Sequence, residues 1–229
     1  MGLYAIGDLH LSLSTDKPMD VFGGRWAQYT EKILEGFSHL QPDDVAVLCG
    51  DISWAMGLDA SAADFQFIQA LPGRKLVLKG NHDYWWNTAS KVGQFFDAHG
   101  IDTVELLHNN CHFYGDIAIC GTRGWFYEEE SGSEHDKKIL NRELGRLETS
   151  LKVAGEREKL CFLHYPPRYR DYVCREIVDL LTQYGVKRCF YGHIHGSGAQ
   201  YAVQGLVDGI DYRMVSADYL DFRPYQVMP

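Results

Sequence analysis

The sequence lacks any apolar run of the ~18–20 residues that a membrane-spanning helix requires. Its first four residues lead directly into an apolar strand-like run, without the basic region and apolar stretch of a secretory leader. Neither an internal repeat nor a low-complexity linker interrupts the 229 residues, 45% of which are hydrophobic. We therefore expect a soluble, cytoplasmic protein with no membrane partner, in which residues 1–229 form a single domain.

A surplus of basic residues is also missing. Lysine and arginine number 22 against 31 aspartates and glutamates, which gives a formal net charge of −9. Nonspecific nucleic-acid binding needs a basic surface, so a nucleic-acid partner and a nuclease activity are disfavoured. A phosphorylated substrate is still compatible with this charge, because bound metal ions can invert the charge of a site.

The six cysteines form no CxxC pair. Cys49, Cys120, Cys161 and Cys189 lie inside apolar strand-like runs, which favours reduced, buried thiols of a cytosolic protein. No cysteine spacing supports a metal site built from thiolates.

The apolar pattern predicts strands that alternate with helices in the first half of the chain and short meanders later. An apolar spacing near 3.6 predicts helices at residues 25–40, 62–71, 88–99, 134–153 and 172–184. The meander strands are predicted at 104–107, 112–114, 117–120, 199–203, 206–207 and 212–216. This order predicts an α/β protein with two sheets or one mixed sheet and helices on the outer faces. The acidic residues 128–134 form either a solvated loop or a lid over the site.

Five apolar runs each end in side chains that can bind a metal ion. The runs are residues 4–7, 45–50, 76–80, 160–163 and 189–192. Functional groups of α/β sheets collect beyond the carboxyl ends of the strands, so we expect these side chains to converge on one point. The candidate ligands are Asp8, His10, Asp51, Asn81, His164, His193 and His195.

These donors are carboxylate, amide and imidazole groups, which suit Mn, Fe, Zn or Co without selecting strongly among them. Seven ligands are too many for one ion with an open position, but they fit two divalent ions that share a bridging carboxylate and a hydroxide. Two such ions carry four positive charges, of which Asp8 and Asp51 cancel two. The remaining charge would attract a phosphate group and stabilise charge that develops on its oxygens.

The motifs resemble those of the calcineurin-like metallophosphoesterases. They are Asp8-x-His10, Gly50-Asp51, Gly80-Asn81-His82-Asp83, an isolated His164 and Gly192-His193-x-His195, in the order of that family. The resemblance implies a single metallophosphoesterase domain, folded as a four-layer α/β/β/α sandwich with two mixed β-sheets. It also implies a phosphorylated small-molecule substrate and an attack on phosphorus by a hydroxide bound to the two metal ions.

The resemblance also implies a role for each ligand. Asp8, His10 and His195 would hold the first ion, Asn81, His164 and His193 the second, and Asp51 would bridge them. His82 would bind the substrate phosphate and protonate the leaving oxygen as a general acid. Asp83 would either orient His82 or cap the helix that follows.

One departure separates this chain from the protein serine/threonine phosphatases. Trp54 stands where that branch has an aspartate, the arginine that follows it there is missing, and the GNH motif ends in Asp83. The chain therefore resembles the smaller bacterial-type phosphoesterases, many of which cleave phosphodiesters. A phosphodiesterase is the leading hypothesis. The alternatives are a phosphomonoesterase, including one that acts on phosphoproteins, and a metal-binding module without catalysis.

Other side chains are candidates for contacts with the substrate. Arg168 and Arg170 follow the His164 motif closely, and Arg123 follows a strand end, so each either grips phosphate oxygens or lies on the surface. Trp54 either stacks on a flat leaving group or packs in the core. Residues 17–26 follow the first motif and could form one wall of the pocket.

Overall fold

The computed structural model describes residues 1–126 and 133–229. The strands are β1 (Leu3–Ile6), β2 (Val45–Leu48), β3 (Arg74–Val77), β4 (Val104–Leu106), β5 (Cys111–Tyr114), β6 (Ile117–Thr122), β7 (Glu158–Leu163), β8 (Arg168–Tyr169), β9 (Tyr172–Val173), β10 (Arg188–Tyr191), β11 (Gly205–Val207), β12 (Ile210–Met214) and β13 (Tyr225–Met228). The α-helices are α1 (Tyr29–Phe37), α2 (Ala62–Ala70), α3 (Ala89–Ala98), α4 (Glu134–Val153) and α5 (Arg175–Gln183).

The strands form two large mixed sheets and one small hairpin. The first sheet has the order β13-β1-β2-β3-β4, in which β13 is antiparallel to β1 and the other neighbours are parallel. The second has the order β11-β12-β10-β7-β6-β5, with parallel pairing at its centre and antiparallel strands at both edges. Strands β8 and β9 form a two-stranded antiparallel hairpin. The predicted mixed sheets are therefore present.

The alternation of side chains along each strand builds the layers. In β1, Leu3 and Ala5 join a buried cluster with Leu160 and Phe162 of β7, so this cluster lies between the two sheets. The other face of the first sheet packs against α1, α2 and α3, and the outer face of the second sheet packs against α4 and α5. Successive residues of a strand point to opposite faces of the sheet, so an uninterrupted apolar run packs against the helices on one face and against the other sheet on the other face. The predicted four-layer α/β/β/α sandwich is confirmed.

Three predicted elements differ clearly from the observed ones, the first two in the second half of the chain. Residues 199–203 are not a strand, because the chain there forms a short 3₁₀-helix, Gly196–Tyr201, whose small and polar side chains are not buried. The predicted helix at 172–184 begins only at Arg175, since Tyr172 and Val173 pair as β9. In both cases the spacing of apolar residues along the sequence predicted an element, but the form of that element depends on the segments that pack against it in the fold.

The helix predicted at 25–40 is also shorter than expected, since α1 begins at Tyr29. Gln28 has a left-handed backbone with φ of 53°, and the preceding Trp26 ends a separate 3₁₀-helix and is buried. By contrast, α4 has the predicted bounds, and Ser133 and Asp136 form a capping box at its start.

None of the helices in the described ranges has the length and apolar composition that a membrane span requires. The segment 128–134, expected to form either a solvated loop or a lid, lies outside the described residues apart from Ser133 and Glu134 at the start of α4.

Candidate metal centre

The candidate ligands follow the carboxyl ends of neighbouring strands. Ile6 of β1 pairs with Leu48 of β2, and Asp8 and Asp51 come two and three residues later. In the second sheet, Leu163 of β7 pairs with Tyr191 of β10, just before His164 and the His193 motif. A hydrogen bond of 2.7 Å from the Gly7 N–H to the Val215 carbonyl joins the two sheets at this edge. Both sets of strand ends therefore meet at one place.

One group of donors contains Asp8, His10 and His195. The Nε2 atoms of His10 and His195 are 3.2 Å apart, and His195 Nε2 lies 3.4 Å from Asp8 Oδ1. One ligand atom from each residue lies within 4.8 Å of the others, so together they could hold an ion. These are the residues predicted for the first ion.

A second group contains Asp51, His164 and His193, whose ligand atoms also lie within 4.8 Å of one another. The Asn81 Oδ1 atom joins them, at 2.6 Å from His164 Nε2 and 3.0 Å from His193 Nδ1. These are the residues predicted for the second ion, together with the predicted bridge.

Asp51 lies between the two groups. Its Oδ2 atom is 3.7 Å from His10 Nε2, and its Oδ1 atom is 3.6 Å from His164 Nε2. One carboxylate thus presents one oxygen to each group, which is the position that a bridging ligand needs. The oxygen and nitrogen donors of this arrangement fit two divalent ions.

The electrostatics of the aspartates also fit bound cations. Burial, together with the carboxylates of Asp83 and Asp8, raises the pKa of Asp51 well above its ordinary value. Burial also acts to raise the pKa of Asp8, but the neighbouring His195, His164 and His10 lower it below the ordinary value. Negative charge is therefore crowded at Asp51, and a divalent ion would relieve that repulsion.

Most of the histidines are held in the neutral form that can bind a metal. Burial, followed by the charge of His195, lowers the pKa of His10 well below its ordinary value. Burial and then His164 lower the pKa of His193 to about 3. His195 differs, because Asp8 and Asp218 outweigh its burial and raise its pKa to about 10. A metal ion at His195 would have to displace a proton.

The backbone around the donors is strained. Asp8, His10, Asp51 and His193 all have positive φ, from 47° to 72°. Such a left-handed backbone costs a non-glycine residue of order 1–3 kcal/mol and persists only where the surroundings enforce it. At Gly192, a Cβ atom would lie 2.5 Å from Asp8 Oδ2, so only glycine fits against that carboxylate.

Asp83 holds the loop that carries Asp51. Its fully buried carboxylate accepts hydrogen bonds from the backbone N–H groups of Asp51, Ile52, Ser53 and Gly80, at 2.6–3.3 Å, and from the Trp85 indole at 2.8 Å. It neither bonds to the His82 ring nor caps α3, whose N-cap is Thr88. Both predicted roles of Asp83 are thus replaced by a third, the support of the Asp51 loop.

Asp218 is a residue of the site that the sequence analysis missed. Its Oδ1 atom lies 3.0 Å from His195 Nδ1, and its Oδ2 atom accepts a hydrogen bond of 2.9 Å from the Gly196 N–H. A carboxylate behind a ligand histidine fixes its orientation and tautomer. No motif marks Asp218 in the sequence, because it comes 23 residues after His195 in a loop that only the fold brings back.

His82 lies beside the donors without belonging to either group. Its backbone N–H donates to Asp51 Oδ1 at 2.8 Å, and its ring lies 4.4 Å from the Trp54 ring and 5.9 Å from the His10 ring. Burial, His164 and the charge of Lys17 lower its pKa to about 4. The imidazole is thus at the edge of the site, where a substrate could reach it.

The faces of the Trp54 ring are both in use. His10 stacks on it at 4.9 Å, and the Lys17 ammonium lies 2.9 Å from its centroid. The two groups would collide on one face, so they must occupy opposite faces. A flat substrate group could stack on Trp54, the first of its two expected roles, only by displacing Lys17.

The three arginines proposed for phosphate binding have protein partners. Arg123 pairs with Glu143 at 3.2 Å, and Arg168 pairs with Asp208 at 2.5 Å. Arg170 lies over the Tyr201 ring at 4.0 Å. Among the described residues that line the cleft beside the donors, none is an arginine. That cleft has a volume of about 540 Å³ and is lined by His10, Met19, Phe22, Trp26, Trp54, His82, His195, Gly196 and Ser197.

The sequence of residues 1–197 matches the family model described as calcineurin-like phosphoesterase. The chain belongs to this family. Among curated proteins, none matches the sequence significantly.

Solved structures with a similar fold cover almost the whole of this chain. The phosphopantetheinyl hydrolase of Mycobacterium tuberculosis is 14% identical with a TM-score of 0.63, over 100% of this chain and 96% of that chain. A protein of unknown function from Aquifex aeolicus is 16% identical with a TM-score of 0.52, over 98% and 95% of the two chains. At these identities the likeness shows the shared fold. Family membership and the two donor groups indicate that this calcineurin-like phosphoesterase hydrolyses phosphoesters with the help of metal ions.

Proposed function

We propose that this phosphoesterase hydrolyses a small-molecule phosphodiester with two divalent ions, held by the two donor groups and bridged by Asp51. The observation that carries the proposal is the position of Asp51, with one oxygen 3.7 Å from His10 and the other 3.6 Å from His164. Two ions so placed would supply Lewis acidity to the phosphate and lower the pKa of a water molecule between them.

His82 is the proposed general acid. Its ring lines the cleft beside His10, so a phosphate held by the donor groups would bring its leaving oxygen towards the imidazole. The ring is neutral in the free protein, since its pKa is lowered to about 4 by burial, His164 and Lys17. A negative phosphate beside it raises that pKa, so the proton is taken up together with the substrate.

The sparse positive charge of the cleft favours a diester over a monoester. A phosphomonoester carries two negative charges near neutral pH, and arginine forks are suited to bind its oxygens. Here the three candidate arginines have protein partners, and the charge of Lys17 is one of the causes that lower the pKa of His82. A diester carries one negative charge and needs less compensation. The name of the phosphopantetheinyl hydrolase also fits a phosphorylated small-molecule substrate.

The deciding experiment compares bis-p-nitrophenyl phosphate with p-nitrophenyl phosphate as substrates. Metal-stripped protein should be inactive, and addition of Mn, Fe, Zn or Co should restore hydrolysis, faster with the diester. A preference for the monoester would instead support a phosphomonoesterase. Two bound ions without turnover of either substrate would contradict the proposal and favour a metal-binding module.

The His82→Ala variant tests the general acid. We expect kcat to fall by about 10²–10⁴-fold, the usual contribution of a general acid, while both ions stay bound. The backbone N–H that supports Asp51 is retained in this variant. Metal analysis of the purified variant provides the control, and unchanged kcat with intact metal content would contradict the role of His82.

A further inference from the structure

The cleft begins at the metal centre and extends away from it. Three imidazoles, those of His10, His82 and His195, line its inner end. A phosphoester held by the donor groups therefore has to place one of its substituents in this cleft. Since the proposed acid His82 lines the same cleft, that substituent is the leaving alcohol.

The outer wall of the cleft is apolar and includes an exposed aromatic ring. Met19 and Trp26 are each only 4% exposed, whereas Phe22 between them is 59% exposed. The three belong to consecutive 3₁₀-helices, Met19–Phe22 and Gly24–Trp26, and the Trp54 indole N–H contacts Met19 Sδ at 3.1 Å. An exposed aromatic ring on an anchored wall offers a ligand apolar area to bury.

A positive charge lies against Trp54, one of the residues that line the cleft. The Lys17 ammonium lies 2.9 Å from the Trp54 ring centroid, and among the described residues no carboxylate lies within ion-pair distance of it. The Trp54 ring also contacts the rings of both His10 and His82. The cation–π contact therefore fixes an ammonium group next to the metal centre, with its charge available to an anion.

We propose that this cleft is the leaving-group subsite, and that it selects phosphoesters whose leaving alcohol carries a flat or apolar group next to the phosphate. In this arrangement Phe22 packs against the apolar group, and Lys17, positioned by Trp54, contacts an oxygen of the phosphate. The inference rests on the proposed function, because the position of His82 as the acid defines the side on which the alcohol leaves.

Two phosphonates that cannot be hydrolysed test the subsite by binding alone. Calorimetry on the metal-loaded protein should show phenylphosphonate binding about tenfold more tightly than methylphosphonate, the gain expected from burial of one ring. In Phe22→Ala, the two should bind almost equally, with methylphosphonate unchanged. In Lys17→Met, which keeps an unbranched side chain over Trp54, both should bind more weakly by a similar factor, about fivefold or more.

Matched controls replace the same residue types elsewhere. Phe113→Ala removes an aromatic ring that is 45% exposed on β5, and Lys91→Met removes an exposed lysine on α3. Both should behave as the wild type. Equal binding of the two phosphonates by the wild type, or a preference that survives Phe22→Ala, would overturn the subsite.

Failure of the proposed subsite can be distinguished from failure of the proposed hydrolase function. If bis-p-nitrophenyl phosphate is hydrolysed but the phosphonates bind equally, the subsite is wrong and the hydrolase stands. If the ring preference and its loss in Phe22→Ala are observed without any hydrolysis, the binding site stands and the proposed reaction is wrong.

Discussion

At the scale of single residues, the buried carboxylate of Asp218 connects the metal centre to the C-terminal part of the chain. It lies 3.0 Å from His195 Nδ1 and also binds the Gly196 N–H. Together with Asp8 it raises the pKa of His195 to about 10. Asp218 thus makes the imidazole more basic and holds its Nε2 atom towards Asp8 and His10.

The Asp218→Asn variant should bind metal more weakly at the group of Asp8, His10 and His195. Loss of such a supporting carboxylate typically lowers metal affinity by about 10–100-fold. Titration of stripped protein with Mn or Zn, followed by metal analysis, measures the effect. The exposed Asp221 provides the control, because Asp221→Asn keeps a residue that tolerates its φ of 51°. Equal affinities of the two variants would contradict the role of Asp218.

At the scale of elements, the first helix is fixed by a close contact at a glycine. Gly36 of α1 faces the backbone of Phe222, and a Cβ atom added there would overlap the Phe222 carbonyl oxygen. This contact brings the loop after Asp218 against the helix that follows the 17–26 wall. A helical glycine is normally unfavourable, so its presence here reflects packing.

We expect Gly36→Ala to lower the free energy of unfolding by about 1–3 kcal/mol, because overpacking outweighs the gain in helix propensity. Gly93 of α3 is a matched control, since a Cβ there would meet nothing within 4 Å. Gly93→Ala should raise the free energy of unfolding by about 0.5–1 kcal/mol. Urea denaturation of both variants checks the opposite signs; a loss of stability in both would mean that propensity and packing have been misjudged.

At the scale of the whole molecule, a buried lysine couples stability to pH. Lys75 of β3 is fully buried, and its ammonium donates to the carbonyls of Leu71 and Gly73 at 2.6 and 2.7 Å. Burial lowers its pKa from 10.5 to about 8, although Asp102 acts in the opposite direction. In the unfolded chain the lysine keeps its ordinary pKa and binds its proton more tightly.

Stability should therefore rise as the pH increases from 7 to 9. The folded protein releases the Lys75 proton in this interval while the unfolded chain keeps it, which adds about 1 kcal/mol to the free energy of unfolding. The stabilisation is lost again as the pH falls through about 8. Chemical denaturation of the wild type and of Lys75→Met at both pH values isolates the contribution. Parallel pH profiles of the two proteins would show that Lys75 does not titrate in this range.

The layers of the fold and the candidate ligands were predictable because their signals are local. A few consecutive apolar residues, such as those before Asp8 and Asp51, are enough to predict a buried strand. Parallel pairing then places the carboxyl ends of these strands at the same edge of the sheet. Residues 199–203 were misassigned for the same reason, since their local pattern says nothing about the loop that follows His195. The strand β13 has no strong pattern of its own and is defined by its pairing with β1.

The sequence by itself determined which side chains end the apolar runs, and through the motifs it determined the family and its seven candidate ligands. Only the tertiary structure decided the distances between the ligand atoms, that Asp218 supports His195, and that Lys17 lies over Trp54. It also decided that the candidate arginines have protein partners. The physical reason is separation along the sequence. The alternating pattern of a strand is visible in neighbouring residues, whereas these contacts join residues that are distant in the sequence and that only the folded chain brings together.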